Sequence, residues 1–164
     1  MLKSKLCING IVPESVVDGP GIRYTIFVQG CPHHCPGCHN PQTHDFNGGH
    51  FVPLQDILEQ IKENPLLAGV TFSGGEPFCQ AGLLACLGKE IHKMGLNVMT
   101  YTGYLFEDLL TKSEVDEGIA ALLKETDTLV DGPFILEQRD LTLQFRGSSN
   151  QRILHLKDGK VVDN

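Results

Sequence analysis

The chain has 164 residues, of which 41% are hydrophobic and 20% are charged, and these are ordinary values for a globular protein. Its formal net charge of −7 argues against a nucleic-acid-binding surface, because such a surface needs clustered lysine and arginine. No stretch reaches the length of a membrane span and no charged-then-apolar leader resembles a signal peptide, so we expect a cytoplasmic protein that does not bind a membrane.

Apolar runs alternate with amphipathic stretches along the chain. Four strands are predicted, at residues 22–29, 69–72, 96–101 and 128–130. Helices are predicted from Pro53 to a stop at Asn64-Pro65, over residues 79–94 before a cap at Gly95, and over residues 104–124 with a break near residues 111–113. Strands separated by helices of this size indicate an α/β fold with a parallel sheet. We expect a single domain over residues 1–164, with its core at about residues 18–156.

Three cysteines, Cys31, Cys35 and Cys38, lie within eight residues of a loop that is rich in glycine and proline. Three thiolates so close together indicate a soft metal centre of zinc, copper(I) or iron and sulfur. A structural zinc ion would need a fourth protein ligand. The candidates for that ligand are four nearby histidines, His33, His34, His39 and His44. A four-iron cluster held by three cysteines would instead leave one iron open to a small molecule.

Four segments that carry possible chemistry each follow a predicted strand. They begin at Cys31, at Gly74-Gly75-Glu76, at Thr102-Gly103 and at Asp131-Gly132-Pro133. Because ligands of parallel α/β folds bind at the carboxyl edge of the sheet, these loops predict a single site. A plainer interpretation of the glycine pair is a strand-to-helix turn.

Five motifs together resemble those of a known family. The segments Asp18-Gly-Pro-Gly-Ile-Arg23, C-x3-C-x2-C-His39-Asn40 and Gly-Gly-Glu-Pro resemble the glycyl-radical-enzyme activases of the radical S-adenosylmethionine superfamily. The segments Tyr101-Thr-Gly-Tyr104 and Arg146-Gly-Ser-Ser-Asn-Gln151 resemble the branch that acts on anaerobic ribonucleoside-triphosphate reductase. The resemblance covers residues from about Asp18 to Arg152, which is most of the chain.

The resemblance implies a fold, two cofactors and a reaction. The fold would be an incomplete, open (β/α) barrel of the radical S-adenosylmethionine type. Cys31, Cys35 and Cys38 would hold three irons of one [4Fe–4S] cluster, and the fourth iron would bind S-adenosylmethionine. Reductive cleavage would yield a 5′-deoxyadenosyl radical, which takes hydrogen from a glycine of the partner reductase. The electron donor would be reduced flavodoxin or a similar protein, and no catalytic acid, base or nucleophile is expected.

The resemblance also implies site residues. Those expected at S-adenosylmethionine are Gly37, Cys38, His39, Gly74, Gly75, Glu76, Pro77 and Thr102, with Asn150 near them. Asp18 and Arg23 are expected to contact the partner protein, because a matching segment flanks the mouth of the site in activases. A plainer interpretation of Asp18–Gly21 is a simple tight turn. Gly37 stands where many superfamily members carry an aromatic residue, so the backbone of residues 37–39 is the expected adenine contact.

The remaining cysteines, Cys7, Cys79 and Cys86, are expected to be buried thiols, with Cys79 near the site, and His92 and His155 are expected to be solvated or structural. Two alternative functions stay open at this point. One is another radical S-adenosylmethionine reaction, on a small molecule or a different protein. The other is a zinc or electron-transfer module without catalysis.

Overall fold

The computed structural model describes residues 2–162, which form one eight-stranded sheet and four α-helices. The strands are β1 (Lys5–Ser15), β2 (Arg23–Val28), β3 (His50–Pro53), β4 (Gly69–Gly74), β5 (Asn97–Tyr101), β6 (Thr128–Asp131), β7 (Arg152–Lys157) and β8 (Lys160–Val161). The helices are α1 (Leu54–Glu63), α2 (Ala81–Lys93), α3 (Phe106–Ser113) and α4 (Glu117–Glu125). Short 3-10 helices cover Pro41–Thr43, Pro77–Gln80 and Leu136–Gln138.

The sheet has the order β3-β1-β2-β4-β5-β6-β7-β8. Its four central strands, β2, β4, β5 and β6, are parallel and are the four that the sequence predicts. The expected parallel sheet is thus present at the centre, but the outer strands β1, β3, β7 and β8 pair antiparallel, so the sheet as a whole is mixed. For β7 and β8 a short connection enforces that pairing, since the two strands are joined by Asp158-Gly159 alone, both with positive φ.

The hydrophobic core lies between one face of the sheet and the helices. Successive strand residues point to opposite faces, so Tyr24, Ile26 and Val28 of β2 enter the core while Phe27 faces the other way. Helix α1 contributes an apolar stripe formed by its buried residues Leu54, Ile57, Leu58 and Ile61. The predicted break in the third helical region is also confirmed, since α3 ends at Ser113 and α4 begins at Glu117. The face that carries Phe27 is therefore left free of helices for the functional site.

Arg23 is fully buried at the start of β2, so the expectation that it contacts a partner protein is wrong. Its guanidinium donates to Thr71 Oγ1 at 2.7 Å, to the Val70 carbonyl at 3.0 Å and to Asn97 Oδ1 at 2.6 Å. These acceptors lie on the two neighbouring parallel strands, at or near their amino ends. A buried charged group is tolerated when its donors are paired in this way, so Arg23 is a structural tie between three strands.

The loop of residues 16–22 is anchored through its main chain. Thr71 Oγ1 donates to the Asp18 carbonyl at 2.7 Å, and Arg23 Nη1 donates to the Pro20 carbonyl at 3.1 Å. Gly19 has a φ of +134°, and a Cβ there would lie 2.6 Å from Met99 Sδ and 2.7 Å from Arg23 Cδ. Glycine is therefore required at this position for both its conformation and its lack of a side chain.

A histidine clamp, formed by His92 with Glu125 and Asp127, fastens the end of α2 to the end of α4 and the segment that follows it. His92 Nδ1 lies 2.9 Å from Glu125 Oε1, and Nε2 lies 2.7 Å from Asp127 Oδ2. Burial lowers the pKa of His92, but the hydrogen bonds to the two carboxylates outweigh it, so the pKa is raised above its ordinary value. The expectation that His92 is structural is thus met by these contacts.

Across residues 2–162, none of the helices combines the length and the apolar character that spanning a bilayer requires.

Candidate functional site

A cleft of about 570 Å³ opens at the carboxyl ends of the parallel strands, on the sheet face without helices. Its walls include Cys31 after β2, Gly74 and Gly75 after β4, Thr102 after β5 and Gly132 after β6. The four segments that follow the predicted strands therefore meet in one cavity. This is the edge at which parallel α/β folds bind ligands.

All three cysteines of the C-x3-C-x2-C motif line this cleft. Cys31 is only 8% exposed, and burial raises the pKa of its thiol above the ordinary value. Within residues 2–162, however, no three His, Cys, Asp or Glu side chains are grouped closely enough to hold one metal ion. Three thiolates in one cleft are ligands typical of soft metal centres, such as an iron–sulfur cluster or a zinc ion.

Two backbone contacts hold the start of the cysteine loop. Gly30 N donates to the Thr43 carbonyl at 2.6 Å, and Cys31 N donates to the His44 carbonyl at 3.2 Å. Between Cys35 and Cys38 a turn closes with a hydrogen bond of 3.1 Å, from Cys38 N to the Cys35 carbonyl. The loop is therefore shaped by its own main chain and by the segment that follows it.

The glycine pair packs directly against the cysteine loop. A Cβ on Gly75 would lie 2.3 Å from the Gly30 carbonyl oxygen, and a Cβ on Gly74 would lie 2.4 Å from Val28 N. Gly74 also has a φ of +101°, which favours glycine. Glycine is thus needed here first for close packing of two protein segments, a reason that sequence reasoning did not identify.

Glu76 is fully buried and does not line the cleft. Its carboxylate accepts hydrogen bonds from Gly103 N at 2.8 Å, Phe78 N at 3.0 Å and Thr102 Oγ1 at 2.8 Å. It also accepts from His33 Nε2 at 2.6 Å, which requires the proton of that imidazole to sit on Nε2. Glu76 therefore joins the cysteine loop to the loop after β5, and its oxygens already have protein donors.

The other expected cofactor contacts differ in where they lie. Cys38 and His39 line the cleft, and the His39 ring lies 5.1 Å from the Phe134 ring. Gly37 and Pro77 do not line it, and Pro77 is buried. A Cβ on Gly37 would lie 2.8 Å from Leu136 Cδ1, so this glycine packs against the segment after β6.

Asp18, unlike Arg23, does line the cleft. Its Oδ2 accepts a hydrogen bond of 2.5 Å from Ser15 Oγ, and its neighbour Val17 is exposed at the same rim. Asp131, the last residue of the parallel strand β6, faces the opposite way. Its carboxylate accepts from Arg152 and from Phe106 N at the start of α3, so it fixes a helix rather than serving the cleft.

Several lining residues were not assigned to the site from sequence alone. Tyr101 and Phe134 form part of the wall, and burial raises the pKa of the Tyr101 hydroxyl. Arg146 and Gln151 also line it. They are the first and last residues of a motif that was identified by family resemblance alone. Asn150, between them, donates to the Pro133 carbonyl at 2.8 Å instead of lining the cleft.

The three remaining cysteines are not the fully buried thiols that the sequence suggests. Cys79 is exposed, and Cys7 and Cys86 are partly buried. Cys86 packs against the core from α2, as its place beside the apolar stripe predicts. Cys79 lies in the short 3-10 helix Pro77–Gln80, which precedes α2.

Comparison with known proteins places these features in a family. The family model described as a 4Fe-4S single cluster domain matches residues 17–154. The anaerobic ribonucleoside-triphosphate reductase-activating protein of Vibrio cholerae is 39% identical over 150 residues, covering 86% of this chain and 92% of the relative. The protein of the same name from Haemophilus influenzae is 36% identical, covering 88% of this chain and 95% of the relative.

The bacteriophage T4 protein of that name is 28% identical over 91% of this chain and 94% of its own length. Among solved structures, QueE from Escherichia coli is 20% identical and covers 60% of this chain and 53% of that chain, with a TM-score of 0.48. That structural similarity is too distant to bear on function. The sequence relatives and the family model span most of the chain, and the chain therefore belongs to the family of anaerobic ribonucleoside-triphosphate reductase-activating proteins.

Proposed function

We propose that this protein activates an anaerobic ribonucleoside-triphosphate reductase by generating a glycyl radical on it, through reductive cleavage of S-adenosylmethionine at a [4Fe–4S] cluster. The observation that carries the proposal is the cleft in which Cys31, Cys35 and Cys38 stand beside the glycine pair and Thr102. Membership of a family whose members are named for this activation agrees with it. The chemistry would be that of the glycyl radical activases, including those of formate C-acetyltransferase.

The cysteine loop fits a cluster with three protein ligands. Cys31, Cys35 and Cys38 would each bind one iron, and the cluster would supply the low-potential electron for the reaction. Because only a thiolate binds iron and burial raises the pKa of Cys31, loading the cluster must release a proton from that thiol. The parallel strands, together with the open ends of the sheet order at β3 and β8, agree with an incomplete (β/α) barrel.

The chain's own part in the reaction is to bind, orient and shield. Gly74, Thr102 and His39 face the cleft beside the cysteines and would contact S-adenosylmethionine. Glu76 would act indirectly, since it fixes Thr102 and Gly103 through its buried carboxylate. Apolar wall residues such as Phe27 and Phe134 would limit the access of water to the reactive centre. No side chain is assigned a proton transfer.

The partner would approach the rim that carries Asp18 and Val17. Asp18 is half-buried and lines the cleft there, so it would contact the partner, whereas Arg23 is fully buried and would not. Reduced flavodoxin or a similar protein would supply the electron, and the proposed setting is the cytoplasm.

The test is anaerobic reconstitution with iron and sulfide, followed by reduction in the presence of S-adenosylmethionine and the cognate reductase. We expect about four irons per chain, release of 5′-deoxyadenosine and methionine, and a glycyl radical signal on the reductase in electron paramagnetic resonance. Cys35→Ala should abolish iron retention and both activities together. Cys86→Ala is the matched control, since it removes a partly buried sulfur that does not line the cleft and should retain all three.

The outcomes separate the alternative functions. One zinc per chain without iron would indicate a zinc module. Cleavage of S-adenosylmethionine with no radical on the reductase would indicate another radical reaction. Full iron retention and cleavage by Cys35→Ala would show that the ligand assignment is wrong.

A further inference from the structure

Arg146 differs from every other arginine of the chain in its surroundings. The chain has four, Arg23, Arg139, Arg146 and Arg152. Arg23 is buried with each of its three guanidinium nitrogens hydrogen-bonded, and Arg152 pairs with Asp131 and Glu107. Arg139 is exposed outside the cleft. Arg146 alone lines the cleft, and it forms no ion pair within residues 2–162.

Most of the hydrogen-bonding capacity of Arg146 is unused. A guanidinium carries five N–H donors, and only Nη1 finds an acceptor, the Gln151 carbonyl at 3.2 Å. Nε is buried and has no partner. Asp140 is near enough for Arg146 to contribute to lowering its pKa, but its carboxylate is already held by Thr142 N at 2.9 Å and by the Thr142 hydroxyl. Because Nε is covered by protein atoms, the donors left for a ligand in the cleft are those of Nη1 and Nη2.

The loop around Arg146 is held in place before any ligand arrives. Gln151 Oε1 accepts from Gly147 N at 2.8 Å and from Ser148 N at 3.2 Å. Gln151 Nε2 in turn donates to the Gly132 carbonyl at 3.1 Å, which fastens the loop to the segment after β6. Phe145, just before Arg146, has a φ of +63°, an uncommon conformation for a side chain of that size. This arrangement presents the guanidinium to the cleft at little further entropic cost.

The charge of the cleft wall selects the kind of ligand group. Among the described residues that line the cleft, Arg146 is the one arginine and there is no lysine. A guanidinium matches the planar geometry of a carboxylate and binds it through two parallel hydrogen bonds. Of the ionised groups of S-adenosylmethionine, the amino group and the sulfonium are cationic, so the carboxylate is the one anionic group that can pair with Arg146.

We infer that Arg146 binds the carboxylate of S-adenosylmethionine and so orients the methionine end of that molecule in the cleft. The inference rests on the proposed function, because that function brings S-adenosylmethionine to this cavity. It adds a positioning residue from the segment after β6. This segment is remote along the chain from the cysteine ligands but lines the same cleft.

The test compares two ligands on the cluster-loaded protein. S-adenosylmethionine has the carboxylate, whereas 5′-methylthioadenosine keeps the nucleoside and lacks the whole aminoacyl group. We expect Arg146→Gln to weaken binding of S-adenosylmethionine by about 10- to 100-fold, because a charge-assisted pair is lost, and to leave 5′-methylthioadenosine and iron content unchanged. Arg146→Lys should recover part of the loss. Arg139→Gln, on the same segment but outside the cleft, is the matched control and should bind both ligands as the wild type does.

Each other outcome overturns the inference in a recognisable way. Unchanged affinity of Arg146→Gln for S-adenosylmethionine would show that the carboxylate is bound elsewhere. Equal losses for both ligands would assign Arg146 to the shape of the cleft. Absence of S-adenosylmethionine binding by the wild-type protein would overturn the proposed function as well, whereas the first two outcomes would leave that function standing.

Discussion

The buried carboxylate of Glu76 offers the sharpest test of how the cleft is held together. Oε1 accepts from His33, Thr102 and Gly103, and Oε2 accepts from Phe78 N and Thr102. Glu76→Gln keeps the size of the side chain but replaces one acceptor oxygen by an NH2 donor. Whichever way the amide turns, it meets a backbone N–H of Gly103 or Phe78 with a donor.

The expected cost follows from these contacts. One buried backbone N–H loses its acceptor, and the remaining hydrogen bonds lose the strengthening that a charged acceptor gives, so we expect a loss of about 2–4 kcal/mol in the free energy of unfolding. With a urea dependence of about 2 kcal/mol per molar, the unfolding midpoint should fall by about 1–2 M. That is a large fraction of the stability of a typical domain.

The assay is urea unfolding of the cluster-free protein under reducing conditions, followed by circular dichroism. Glu90→Gln is the control, because Glu90 pairs only with Lys93 on the helix surface, at 3.1 Å, and its loss should shift stability by no more than about 0.5 kcal/mol. If Glu76→Gln unfolded at the same urea concentration as the wild type, the hydrogen-bonded junction described here would not contribute to stability.

Three further outcomes are expected. Gly75→Ala should lower the free energy of unfolding by about 1–3 kcal/mol, because its Cβ would lie 2.3 Å from the Gly30 carbonyl oxygen. Gly82→Ala, with open space around it, should not lower it, and equal effects of the two substitutions would contradict the packing argument. For the histidine clamp, the raised pKa of His92 means that its stabilisation is fully present below the ordinary pKa of ~6.5 and is lost as pH rises through the folded-state pKa. The urea midpoint should therefore fall with rising pH in the wild type, and should fall less in His92→Gln. The same dependence of the midpoint on pH in both proteins would refute the clamp. Asp18→Ala should lower the glycyl radical yield on the reductase more than uncoupled cleavage of S-adenosylmethionine, and equal losses would remove its role as a partner contact.

The parallel centre of the sheet was predictable because each of its strands is a short apolar run followed by glycine or a polar turn. The outer strands were not, and β1 shows why. Its pairing with β2 shifts register between Ile8 and Gly10 and again between Val12 and Ser15, so the alternation that marks a strand is interrupted twice. Strand β8 has only two residues, which is too short for any periodicity to be detected.

The sequence predicts where the candidate site lies in the fold but not which contacts its side chains make. Spacing along the chain indicates that Cys31, Gly74 and Thr102 come together, since all three follow parallel strands. It does not indicate that Glu76 turns inward to His33, which lies 43 positions away. The direction of Arg23 was likewise out of reach, because an arginine at the start of a strand suits an exposed rim as readily as a buried tie.

The main-chain anchoring of residues 16–22 separates the shape of that loop from the identity of its side chains. Two carbonyl groups, those of Asp18 and Pro20, attach it to the sheet, and these are present whatever residue occupies the position. Val16, Val17 and the Asp18 carboxylate can therefore be exchanged with little change in backbone course, provided that Gly19 stays. The side chains of this surface can therefore change together with the sequence of a partner protein while the backbone of the loop and the cleft beside it stay the same.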